Sequence, residues 1–213
     1  MSLAVDRYEL GPIATNCYVV RAERGAREAV VIDPGGDATR LRLELARMHA
    51  RCAAILVTHC HWDHLGAVAE LAEGTGAPVY MSREESVVLE SPDDFFLGQG
   101  IRIRPYTPDV RLEGDETVEV AGMSFEALAV PGHSPGHLAY HADGCLFSGD
   151  VLFAGGVGRT DLPGGDWERL LESIRMLVER LPGETVVYSG HGPPTTLAAE
   201  LARNPFLAEL RAR

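Results

Sequence analysis

Lysine is missing altogether: all 19 basic side chains of this 213-residue sequence are arginine. Schiff-base chemistry, a lysine nucleophile and a phosphate-loop lysine are thereby excluded. Side-chain amides are nearly absent too, with Asn16, Gln99 and Asn204 the full set. Heat resistance and genome base composition would produce that bias alike. Basic charge is in deficit, 19 arginines against 31 aspartates and glutamates, for a net charge of −12. So acidic a chain repels phosphate backbones, which argues against nucleic acid as a partner. No apolar run nears the ~18 residues of a membrane span. Charge arrives too early between Met1 and Arg7 for a secretory leader, so a cytoplasmic setting without membrane contact is expected. The four cysteines, Cys17, Cys52, Cys60 and Cys145, form no C-x-x-C pair, which suits a reduced compartment.

What is present is ordinary globular material, 46% hydrophobic and 23% charged, with no low-complexity tract or linker. The length suits one domain over residues 1–213, large enough to bury a core without disulfide staples. Strands are predicted at Val5–Leu10, Cys17–Arg21, Ala29–Ile32, Ala53–Val57 and Val79–Met81. Helical spacing marks Ala38–Met48, Leu65–Glu73, a short stretch near Glu84–Glu90, and Trp167–Arg180. A hairpin is predicted from Thr117–Val120 and Ser124–Val130 about Ala121-Gly122-Met123. Further strands follow at Leu138–His141, Cys145–Ser148 and Thr185–Tyr188, and the tail from Thr195 reads as helical. Strand blocks interrupted by helices predict an α/β architecture.

Four of these strands run into loops that carry metal-capable side chains. Ala53–Val57 leads to His59, His61, Asp63 and His64; the hairpin strand leads to His133. Cys145–Ser148 leads to Asp150, and Thr185–Tyr188 to His191. Loops at strand ends are where a rigid sheet presents binding groups. Imidazole and carboxylate together suit zinc, iron and related ions. One ion cannot comfortably take four ligands from so tight a loop, so two neighbouring ions are expected, with Asp150 placed to bridge them. His49, on a predicted helix, and His141 read as structural or solvated. His137 reads either as fixing a ligand's orientation or as a plain structural hydrogen-bonder.

With these motifs the sequence resembles the metallo-β-lactamase fold superfamily, and within it the glyoxalase II-type hydroxyacylglutathione hydrolases. The likeness runs from Asn16 to Asn204-Pro205-Phe206. The segment Gly149-Asp150-Val151-Leu152-Phe153, then Gly156-Val157-Gly158-Arg159-Thr160-Asp161, is similar to short members of that group. The resemblance implies a four-layer αβ/βα sandwich with a dinuclear site at one edge. Site one would take His59, His61 and His133; site two would take Asp63, His64 and His191, with Asp150 shared. Two divalent transition ions are implied, zinc foremost, with iron or manganese as alternatives. The implied reaction is attack of a metal-bound hydroxide, oriented by Asp63, on a thioester such as S-lactoylglutathione.

Two departures bear on the substrate. Only residues 192–213 follow His191, too few for the separate helical domain that supplies glutathione contacts in full-length relatives. The lysine some of them place beside the metals is absent here; Arg159 stands nearby, either gripping a substrate carboxylate or paired with Asp161. A thiolate leaves with a parent pKa near ~8.5 and needs little help from an acid. A lactonase or β-lactamase reaction would call for one, and Tyr106 and Tyr140 are the candidates. A mononuclear iron persulfide dioxygenase is the redox alternative, using His59, His133 and Asp150. A zinc-stabilised binding protein is the non-catalytic one. Cys60 reads as a small filler within the metal loop. Pro92-Asp93-Asp94-Phe95-Phe96-Leu97 reads as a lid, a dimer contact or a piece of core.

Overall fold

The computed structural model describes residues 3–96, 98 and 100–211. Its first half runs β1 (Ala4–Leu10), β2 (Thr15–Arg21), β3 (Glu28–Ile32), α1 (Ala38–Arg47), β4 (Arg51–Leu56), α2 (Trp62–Leu65), α3 (Val68–Thr75), β5 (Val79–Ser82), α4 (Arg83–Glu90), α5 (Pro92–Phe96) and β6 (Val110–Leu112). These strands form one six-stranded sheet in sequence order, antiparallel from β1 to β3 and parallel from β3 to β6. The second half adds β7 (Thr117–Val120), β8 (Met123–Ala129), β9 (Leu138–Ala142), β10 (Cys145–Gly149), the small hairpin β11 (Leu152–Phe153) and β12 (Gly156–Val157), α6 (Trp167–Arg180), β13 (Val186–Ser189), β14 (Thr195–Thr196), α7 (Leu197–Arg203) and α8 (Ala208–Arg211). Its six-stranded sheet has the order β14-β13-β10-β9-β8-β7.

Both sheets are covered on both faces, so their strands carry apolar side chains in either direction. Along β2 and β3, Val19 and Val31 face α1 and α3, packing with Leu41, Leu45 and Leu71. Their neighbours Tyr18, Val20, Val30 and Ile32 face the other sheet and meet Phe125, Tyr140 and Phe147. On the far side, Leu128, Val130 and Leu146 pack against Leu170, Ile174 and Leu177 of α6. Helices, sheet, sheet, helices: the α/β four-layer sandwich expected from the resemblance is the observed fold. Among the described residues, no helix is long and apolar enough to cross a membrane.

Local signals set most boundaries. Asp37 caps α1 by accepting from Arg40 N–H, Asp166 caps α6 through Arg169 N–H, and Thr196 caps α7 through Ala199 N–H. Four expectations need correction. The helix predicted over Leu65–Glu73 is two helices, because the chain leaves helical geometry at Ala67 (φ −116°, ψ 7°), next to Gly66, where a Cβ would stand 2.2 Å from the Gly35 carbonyl oxygen. His49 lies past the end of α1, in a left-handed turn with φ 53°. Met123 belongs to β8 and pairs with Val120, so the hairpin turn is Ala121-Gly122 alone. The middle of the chain, where only the helix near Glu84–Glu90 is predicted, also holds α5 and β6, which lack the length to show a period. Leu97 lies outside the described residues.

Candidate metal centre

All seven residues expected to bind metal converge on one edge of the sandwich. They stand in three groups: His59, His61 and His133; His59, His64 and Asp150; Asp63, His64 and His191. Within each group the donor atoms lie within 4.8 Å of one another. Both sheets contribute, the first through the loop after β4 and the second through the ends of β8, β10 and β13.

The chain aims three of the imidazoles by holding their other nitrogen. Asp33, at the end of β3, accepts from Thr58 N–H (2.8 Å) and Thr58 Oγ1 (2.7 Å), and lies 2.9 Å from His64 Nδ1. Having spent its proton on Asp33, Thr58 Oγ1 accepts from His59 Nδ1 at 3.0 Å. His133 Nδ1 donates to the Arg159 carbonyl at 2.8 Å. Three rings therefore present Nε2 inward, the arrangement that fixes tautomer and direction at metal sites. His59 Nε2 lies 3.0 Å from His61 Nδ1. His64 Nε2 is 3.4 Å from Asp150 Oδ1, and His133 Nε2 is 3.6 Å from Asp150 Oδ2. Half-buried His191 sets its Nε2 3.4 Å from Asp63 and 3.5 Å from Asp150. Asp63 is steadied by Thr15 Oγ1, which donates to it at 2.7 Å.

Three buried atoms in this cluster lack a hydrogen-bond partner: His64 Nε2, His133 Nε2 and Asp150 Oδ1. Buried polar atoms are nearly always paired, and three orphans facing one another fit a bound cation. Electrostatics agree. Burial, reinforced by neighbouring imidazoles, pushes His59 well down and His61 down to about 4; burial also lowers His133. All three are thus neutral lone-pair donors. On the other side, His64 is raised despite its burial by Asp150 and Asp33, and His191 is raised to about 9 by hydrogen bonds to Asp150 and Asp63. Burial opposes ionisation of Asp63 and Asp150, yet their histidine partners hold both well below the ordinary carboxylate range. That side of the cluster draws positive charge.

Around the ligands the packing leaves no slack. A Cβ on Gly190 would stand 2.0 Å from Asp150 Oδ1 and 2.7 Å from His64 Cε1. One on Gly158 would stand 1.9 Å from the Asp150 carbonyl and 2.9 Å from His133 Nδ1. His137 is fully buried, stacks on His59 at 4.5 Å, and accepts from Asp150 N–H at 3.2 Å. It touches two of the ligand candidates and stands in none of the three groups.

The centre opens into a cavity of about 570 Å³, lined in part by His61, Asp63, His133, Asp150 and His191. Arg159 also lines it, its guanidinium forming two bonds to Asp161 (2.6 and 2.7 Å) that hold that carboxyl at about 2. Cys60 is a lining residue whose thiol is pushed up by burial and by Glu85, which makes it a poor nucleophile. Neither candidate acid is at hand. Tyr140 is buried and donates to the Val57 carbonyl, while the Tyr106 hydroxyl lies on Asp109. His141 sits partly exposed beside Glu126.

Sequence reasoning missed three supports: Asp33, Thr15 and Glu85. Glu85 of α4 is buried, and its two oxygens accept from Cys60 N–H (2.7 Å) and Gly136 N–H (2.8 Å). Asp33 carried a usable signal, since it too is an acidic residue at a strand end.

Comparison with known proteins agrees with this geometry. The probable metallo-hydrolase YqgX of Bacillus subtilis is 38% identical over 205 residues, 94% of this chain and 96% of that one. Hydroxyacylglutathione hydrolase GloC of Haemophilus influenzae is 38% identical over 198 residues, 90% of this chain and 92% of its own. Among solved structures, the BLEG-1 B3 metallo-beta-lactamase superposes with a TM-score of 0.90 at 41% identity, covering 96% of this chain and 100% of that one. TTHA1623 in a di-iron-bound form gives 0.85 at 41% identity, over 95% and 100%. ETHE1 from Myxococcus xanthus gives 0.81 at 28%, over 97% and 85%. Residues 10–191 match the family described as the metallo-beta-lactamase superfamily, and with the fold and the histidine–aspartate cluster both in place, the chain belongs to that superfamily as a metallo-hydrolase.

Proposed function

We propose that the chain hydrolyses thioesters of the hydroxyacylglutathione class at a dinuclear centre. The observation that carries this is the pairing of two donor groups with a cavity whose described lining includes neither tyrosine that could serve as an acid. His59, His61 and His133 would hold one ion and Asp63, His64 and His191 a second, with Asp150 facing His64 of one group and His133 of the other. Two divalent transition ions, zinc foremost and iron or manganese next, supply Lewis acidity there and make water nucleophilic at neutral pH. Asp63, anchored by Thr15, orients the attacking water toward the carbonyl. Thiolate departs unaided, which matches the withdrawal of Tyr106 and Tyr140 from the centre. The likeness to GloC supports the same substrate class.

The test is a panel of S-lactoylglutathione, a lactone, a β-lactam and glutathione persulfide on metal-replete protein, with metal counted and oxygen monitored. Thioester cleavage with about two ions per chain is expected. Oxygen uptake with persulfide on a single iron, without thioester cleavage, would overturn the assignment in favour of the dioxygenase reaction.

A further inference from the structure

The cavity walls differ in chemistry from its floor. Beyond the ligands, the first half of the chain supplies Ile13, Trp62, Val88, Phe95 and Phe96. The second half supplies Phe153, Val157, Leu162 and Pro163. Apart from the histidines, the lone cation among the described lining residues is Arg159, and Asp161 already holds its guanidinium through two bonds. Glutathione carries two carboxylates and an ammonium. Burying a carboxylate against phenylalanine and isoleucine without a partner is strongly unfavourable. An apolar group in the same place gains by leaving water.

Resting on the thioesterase reading above, we infer that the cavity receives the acyl arm of the substrate, and that it selects apolar acyl groups larger than lactoyl. The peptide arm then lies at the mouth, its carboxylates in solvent. A volume of about 570 Å³ leaves room for such an arm within the usual range of ligand cavities. Ile13, 50% exposed, and Phe95, 48% exposed, are large wall side chains with surface to gain from being covered, and Leu162 is partly exposed.

A homologous series of S-acylglutathiones, from acetyl through butanoyl to hexanoyl, tests this on the zinc-loaded full chain, with S-lactoylglutathione as reference. Each buried methylene favours binding roughly fourfold, so the two added from butanoyl to hexanoyl should raise kcat/KM about 15-fold. Phe95→Ser and, separately, Leu162→Ser should flatten that ratio to about threefold or less. The second variant keeps the test intact if the first fails to fold. A hexanoyl thioester cleaved no faster than the butanoyl one, with S-lactoylglutathione still turned over, overturns the inference and leaves thioester hydrolysis standing. Cleavage of no member by zinc-loaded protein overturns the thioesterase reading itself.

Discussion

At the scale of single residues, Asp150 carries the most. Its two oxygens face His64 on one side and His133 on the other, and His191 lies 3.5 Å away. A side chain placed between two donor groups serves both. Asp150→Ala should therefore release metal and lower activity roughly 100-fold or more, whereas His191→Ala should release the second ion and spare the first. Elemental analysis of the two purified variants distinguishes them; full metal content in Asp150→Ala would remove it from the centre. The ligand candidates are legible in the sequence because they are residue types with few other uses, set at strand ends within short loops. Their supports are not. Thr15 reaches Asp63 across 48 positions and Asp33 reaches His64 across 31, and only the paired sheets bring them together.

Among the elements, α4 has a role its own sequence conceals. Its sequence predicts a short helical stretch, in which nothing singles out Glu85 from Glu84 and Glu90. In the fold Glu85 accepts from Cys60 N–H, in the loop after β4, and from Gly136 N–H, in the loop after β8. Those loops belong to different sheets and hold His59, His61 and His133. One buried carboxylate thus sets the spacing of a donor group it never touches. Glu85→Gln leaves a single oxygen for two amide donors and turns an NH2 against one of them. Metal affinity at that group should fall about 10–100-fold, with a shift in the visible bands of cobalt-substituted protein. An unchanged spectrum and affinity would reduce Glu85 to packing. The middle of the chain defeats sequence reading for a related reason. Strand β6 is only Val110–Leu112, and it is a strand because β5 lies beside it.

Across the whole molecule, the donors come from both sheets, and the layers between them are apolar. The sheet–sheet core is assisted by few polar ties near the centre, among them Asn16 Nδ2 and Tyr18 OH, both donating to the Ser189 carbonyl. Metal held by residues of both sheets would add a link that the unfolded chain lacks, so binding would also be stability. At a metal concentration about 1,000 times the dissociation constant, that link is worth about 4 kcal/mol, on the order of 10 °C in Tm for a chain of this size. Stripping with a chelator should lower Tm by that order, and returning zinc should restore it. A Tm indifferent to metal would mean the sandwich holds itself without the centre. The α/β architecture is legible in the alternation of strands and helices, and the four-layer plan only through the resemblance to the superfamily. The cavity wall is not, since its apolar residues come from five separate stretches and look like ordinary core.

Gly158 and Gly190 offer the metals nothing, yet each stands where a single added carbon would collide with Asp150 and displace His133 or His64. In a library of every single substitution, Gly158→Ala and Gly190→Ala should be depleted as deeply as loss of a ligand, although every donor remains. What the gene must preserve to keep this centre therefore includes two empty places, and a catalogue of donors alone would miss them.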